Sequence, residues 1–244
     1  MNTARSIGSA PLQATTLDGR RGVTLAQLAI AVVIIGLIMG GILKGQELIA
    51  DARLKSTMTE LEAIRAAAAS FQDKYGGLPG DYAQGQAELG TPHGVSWASP
   101  RCGGGDQLCD GDGIIEGNGR TNETLLFWQH LGLADLISGI EVAAEVDDSI
   151  GAGLPQAAIG GGLAVQYQVV GGRAGHWLRL GTGAALTIGV ATGAQASSID
   201  RKIDDGRPGT GSLRVTSAAC MARGEYNPTG DRCLMHYELH RQPE

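Results

Sequence analysis

From Val23 to Leu43 the chain carries no charge, and its only polar side chains are Thr24 and Gln27. An apolar helix of about 20 residues matches the hydrocarbon core of a bilayer. The pattern then changes. Leu54, Met58, Leu61, Ile64, Ala68, Phe71 and Tyr75 recur at three- and four-residue steps, with Arg53, Lys55, Glu60, Glu62, Arg65 and Asp73 between them. That spacing predicts an apolar stripe on a helix. The run Ala66–Ala69 favours helix, and Gly76-Gly77 followed by Pro79 ends it. One helix of about 50 residues is therefore expected, about 75 Å long at 1.5 Å per residue. Its first half (23–43) suits lipid, and its second half (44–75) turns a stripe toward a globular domain (76–244). Gly36, Gly40, Gly41 and Gly45 permit close approach of a second helix.

Residues 76–121 read as loop. Thr121-Asn122-Glu123 is a helix start, with a cap and an early acid. Leu125, Leu126, Trp128, Leu131, Leu133, Leu136 and Ile137 then give a short amphipathic helix broken near Gly132, with Trp128 in packing and His130 at the surface. Residues 139–160 read as loop. The alternation in 164–170, the pair Gly171-Gly172 and the return 176–180 predict a hairpin. Leu186–Val190 suggests a third strand, Ala194–Asp205 a helix stopped by Gly206, Leu213–Val215 a strand and Leu234–His240 a last strand. The fold class is α+β, a long N-terminal helix packed on a small antiparallel sheet.

Composition sharpens this. Glycine is abundant at 39 of 244 residues and aromatics make up 4%. Such a domain has many turns and a thin core, and it needs staples. The first 22 residues carry Arg5, Arg20, Arg21 and Asp18, so a chain of net charge −6 leaves −8 on the remainder. A surface this acidic argues against a broad basic patch for nucleic acid. Arginines ahead of the apolar run place the N-terminus in the cytoplasm and the rest outside. Outside the cytoplasm disulfides are expected. Cys102, Cys109, Cys220 and Cys233 form two sequence-local couples. Of the three pairings we favour Cys102–Cys109 with Cys220–Cys233. Neither couple has the two-to-four-residue gap of a zinc knuckle.

Two stretches carry candidate chemistry. Asp106, Asp110, Asp112, Glu116 and Asn118 sit at short spacings among glycines, as oxygen ligands for calcium do. The stretch is not an EF-hand, because Leu108 and Gly119 fall where the first and last carboxylates belong. It reads either as another kind of calcium loop or as a solvated acidic loop clipped by a disulfide. His236 and His240 share one strand face with Glu238 between them, which suits a metal or simply solvent. No serine-nucleophile, zinc-protease or phosphate-loop motif occurs, so no enzyme activity is expected.

The segment Arg21-Gly22-Val23-Thr24-Leu25 and the apolar run behind it resemble the leader and first segment of type IV prepilins and pseudopilins. The resemblance covers about residues 20 to 80. It implies a leader (1–22) cut after Gly22 by a prepilin peptidase, methylation of the new amine on Val23, and assembly through the N-terminal helix. The long leader, with Val after the cut, is closer to the type IVb group. Where this family usually has a Glu that pairs with a neighbour's N-terminal amine, this chain has Gln27. Gln cannot neutralise an ammonium, which points to a minor subunit. Leu78-Pro79-Gly80-Asp81 and Asp204–Pro208 are similar to turns of the same group, and its C-terminal disulfide loop is an exposed variable surface. The partners implied are prepilin peptidase, other pilin or pseudopilin subunits, an inner-membrane assembly platform and membrane lipid. The expected location is the inner membrane, then an extracellular or periplasmic filament used for adhesion, motility or DNA uptake. The alternatives are a type II secretion pseudopilin, toward which a calcium loop would weigh, and a membrane-tethered binding or adhesin domain.

Overall fold

A computed structural model describes residues 24–89, 109–118, 123–140 and 148–240. Gly22, Val23, Cys102 and Asp106 lie outside these residues. The chain divides into one unit ending at Glu47 and another beginning at Leu48, and each is described by itself.

The first unit is the start of helix α1 (Leu25–Tyr75). No described residue in it is buried, and Leu28, Ile30, Val32, Leu37, Ile42 and Leu43 are each more than half exposed. By length and composition this helix is long and apolar enough to cross a membrane.

In the second unit, α1 buries Leu54, Thr57, Met58, Leu61, Ile64, Ala67 and Phe71. Apart from the adjacent pair Thr57 and Met58, these positions advance by three or four, so they form one stripe. A fully buried Leu or Phe contributes about 1.5–3 kcal/mol relative to an exposed one. The stripe runs through Ala67 rather than Ala68, which is half-buried. Gly76, at φ +75°, ends the helix and donates to the Gln72 carbonyl at 2.8 Å.

The sheet contains β1 (Gly162–Val170), β2 (Arg173–Gly181), β3 (Leu213–Val215) and β6 (Met235–His240) in the order β1-β2-β6-β3. Every pairing is antiparallel. The β1–β2 hairpin turns through Gly171-Gly172, both at positive φ, as its two-residue loop requires. One face carries Leu163, Val165, Leu178, Leu180, Met235 and Tyr237, which are cross-strand neighbours. It looks toward α1, whose Arg65 donates to the Tyr237 hydroxyl at 3.2 Å.

The other face is polar yet buried. Arg179, His236 and Glu238 are each no more than 5% exposed. Arg179 donates to Gln166 and to the carbonyls of Asn118 and Ala185. Arg214 bonds the carbonyls of Val170, Gly171 and Gly211 and lies 5.5 Å from the Trp177 ring. A polar layer of this kind persists in the interior because its members bond one another.

The remaining elements are α2 (Gly85–Glu88), α3 (Glu123–Leu133), α4 (Gly193–Ile203) and a two-strand ribbon of β4 (Met221–Ala222) and β5 (Glu225–Tyr226). Cys220 and Cys233 are bonded and fully buried, with Cα atoms 5.6 Å apart. Cys109 is also disulfide-bonded. Its expected pairing with Cys102 lies outside the described residues.

Three expectations need correction. Leu186–Val190 is not a strand. Leu186 takes φ +52° and is fully buried, so the chain reverses there, leaving one bridge between Thr182 and Ile188. Residues 76–121 are not wholly loop, since α2 forms a single turn tied by Tyr82 to Glu88 at 2.6 Å. His130 is not at the surface. Residues 123–131 are all buried, and His130 stacks on Phe71 with ring centroids 5.9 Å apart.

Candidate functional site

The start of α1 is a reciprocal cap. Thr24 N–H donates to Gln27 Oε1 at 3.1 Å, and Gln27 N–H donates to Thr24 Oγ1 at 3.3 Å. Two helix-start donors are thereby satisfied within the chain. The same device opens α4, where Thr192 and Gln195 cap one another. Gln27 is thus engaged by its own backbone through a neutral carbonyl. Gly22 and Val23, the residues of the expected cut, lie outside the described residues.

The acidic loop is held by two buried carboxylates from elsewhere in the chain. Asp81 accepts from Gly111 N–H through Oδ1 and from Gly113 N–H through Oδ2, each at 2.7 Å. Glu123, the first residue of α3, accepts from Glu116 N–H at 2.8 Å and from Cys109 N–H. Together the two acids fasten four backbone donors between 109 and 116. Burial pushes both carboxyls up, Glu123 to about 7, against the opposing pull of the N–H donors. Behind them, the Gly80 N–H donates to His130 Nδ1 at 2.9 Å, and burial takes that imidazole down to about 4.

Asp110 and Asp112 are exposed, and their carboxylates come within 4.8 Å of one another and of Asp81. Glu116 does not join them; its N–H goes to Glu123 instead. The Asn118 carbonyl accepts from Arg179. Each of the three aspartates already takes a backbone N–H. Among the described residues the group presents three carboxylates, six oxygens in all, and four of these already accept a backbone N–H, where calcium takes six to eight oxygens. These bonds hold the loop's shape from within the chain. Beside it lies a cavity of about 450 Å³ lined by Tyr75, Asp81, Tyr82, Asp110 and His176.

Of the expected His236, Glu238 and His240 face, the His240 side chain lies outside the described ones, and the other two are engaged within the protein. His236 Nδ1 lies 3.1 Å from Gln168 Nε2 and its Nε2 lies 3.1 Å from Thr216 Oγ1, so both ring nitrogens are occupied. Glu238 meets Arg173 at 3.4 Å. The face of β6 that carries His236 and Glu238 is interior rather than solvated, each residue being no more than 3% exposed.

A second acidic group, Asp200, Asp204 and Asp205, closes α4. Its carboxylates hold Gly206 N–H, Leu213 N–H and Arg207 N–H respectively. Asp200 and Tyr226 are linked as well, at 2.7 Å, and burial raises Asp200 to about 6. Asp81 and Glu123 were legible in the sequence only as a turn residue and a helix-start acid. Their partners lie 30, 32, 7 and 14 positions away, beyond any local pattern. No family model, curated protein or solved structure matches this chain.

Proposed function

We propose that this chain is a subunit, of the minor kind, in a filament of the type IV pilus class. A prepilin peptidase cuts after Gly22 and the mature chain begins at the methylated Val23. The observation that carries the reading is the start of α1. A Gly-Val-Thr-Leu segment after two arginines leads into 19 uncharged helical residues, Leu25–Leu43, none of them buried. An apolar surface of that extent needs lipid or other helices around it. The α1 stripe on an antiparallel sheet and the disulfide-closed loop at the C-terminal end support the same reading.

Gln27 supports a minor place in the fibre. Its carbonyl caps its own helix, and it brings no charge to a neighbour's amine. The subunit waits in the inner membrane, N-terminus inward, and is then drawn into a filament by helix packing. The test is the N-terminal sequence and mass of the protein from membranes of cells with and without the peptidase. A methylated Val23 start that depends on the peptidase is expected. An intact Met1 start in both overturns the filament reading and leaves a tethered domain.

A further inference from the structure

The chain enclosed by the Cys220–Cys233 disulfide folds back on Cys220. Asn227 N–H donates to the Cys220 carbonyl at 2.8 Å, and the Asn227 side chain donates to the Ala219 carbonyl at 2.9 Å. Gly230 lies so near that a Cβ on it would come 2.8 Å from Cys220 Cα. Both cysteines are fully buried, so a reagent reaches the S–S bond only through an opening of the fold.

Among the described residues, α4 holds this segment at two levels. At the start of the helix, the Gly193 N–H donates to the Gly230 carbonyl at 2.8 Å, and a Cβ on Gly193 would run into the Asn227 carbonyl oxygen. About two turns further on, the Tyr226 hydroxyl donates to Asp200 Oδ2 at 2.7 Å. The first tie joins backbone groups and carries no charge. The second ends on a carboxyl group that is fully buried. Asp200 takes neutral donors, the Tyr226 hydroxyl and the Gly206 N–H at 3.2 Å, and among the described residues it forms no ion pair. Asp204 and Asp205 stand beside it and disfavour its charge. Arg207 in the following turn and Arg214 on β3 act on Asp205. Arg201 and Lys202 on α4 and Glu225 on β5 are exposed. A buried carboxyl group with neutral donors and acidic neighbours is held more firmly as the acid than as the anion. Burial raises this one to about 6.

We infer that residues 221–230 are a strap over the Cys220–Cys233 disulfide and that the charge on Asp200 sets how readily the strap lifts. Lifting takes Tyr226 away and lets water reach the Asp200 carboxyl group. That relieves a buried anion and does nothing for a buried acid. The hold is therefore full below the ordinary carboxylate range and is lost as pH rises through about 6. An opening of this kind is local and leaves the sheet in place. It makes access to this disulfide depend on pH in a domain that stays folded. The strap does not rest on the filament reading.

The test times the reduction of each disulfide in the full-length protein in detergent by a water-soluble phosphine. Freed thiols are alkylated and located by mass spectrometry. A small-molecule disulfide measured alongside removes the reagent's own pH dependence. Reduction at Cys220 and Cys233 should quicken about tenfold between pH 5 and pH 7.5. D200N, which cannot ionise, should be flat over that range. Y226F should be faster than the unsubstituted protein at pH 7.5 and little changed at pH 5. Should D200N fail to fold, Y226F decides. Neither substitution should alter reduction at Cys109, which reports the fold away from the strap. An unchanged pH slope in D200N, or no acceleration in Y226F at pH 7.5, overturns the proposal. Equal acceleration at Cys109 overturns it as well, since the whole domain is then opening.

Discussion

The Tyr226 hydroxyl donates a 2.7 Å hydrogen bond to Asp200 Oδ2, joining the disulfide loop to the buried side of α4. Asp200 is fully buried, and this bond is one of the two that favour its charged form. Removing a donor from a buried acceptor costs about 1–3 kcal/mol. Y226F should therefore lower stability by that amount at pH 8, where Asp200 is ionised. The loss should shrink at pH 5, below its raised value of about 6. Urea unfolding at the two pH values checks this, and equal losses at both would remove the charge from the explanation.

Glu123 and the buried histidines act against each other on acidification. The Glu123 value is raised to about 7 in the folded chain, so its favourable contribution is full below its unfolded value and is lost as pH rises through 7. His130 and His236 are lowered to about 4, largely by burial. Their contribution is present above about 6.5 and is lost as pH falls toward 4. In E123Q the Glu123 part is gone, while those of the histidines and of Asp200 remain. Its melting temperature should fall more steeply between pH 7.5 and 5 than that of the unsubstituted protein. Parallel profiles would show that Glu123 does not titrate in this range.

Gly80 stands at φ +93°, and a Cβ there would come 2.5 Å from the Glu123 carbonyl oxygen. Gly172 has a similar φ of +82° with open space around it. G172A therefore reports the backbone cost alone, about 1 kcal/mol. G80A adds the clash and displaces the turn that carries Asp81. We expect about 2–4 kcal/mol of destabilisation for G80A, measured by thermal unfolding.

At the other end of the chain, T24A and Q27A should each remove half of the reciprocal cap, at about 1 kcal/mol. Amide hydrogen exchange at residues 25–28 of the full-length protein should quicken in both. Q27E keeps the geometry of the cap and should leave exchange unchanged. Faster exchange in Q27E would mean that the neutral amide is itself required.

The legible parts of this fold were those whose signal is local. The apolar run announced α1, and alternation about Gly171-Gly172 announced the hairpin. Thr192 and Gln195 stand three apart, as a capping box requires. What local pattern hid was decided by partners far off in the chain. His236 and Glu238 read as a face for a metal or solvent, yet they are interior and bond Gln168, Thr216 and Arg173. Leu186 looked like a strand residue because its hydrophobicity is satisfied equally well by a buried turn. Asp110 and Asp112 were singled out from their spacing, whereas Asp81, which organises them, lies about 30 residues upstream.

β6 follows every other strand of this sheet along the chain, yet it lies inside the sheet, flanked by β2 and β3. Until its residues arrive, β2 has an open edge and the three residues of β3 have no partner at all. The β1–β2 hairpin is able to pair ahead of it, but the four-stranded sheet is incomplete. It closes only when the C-terminal segment is delivered.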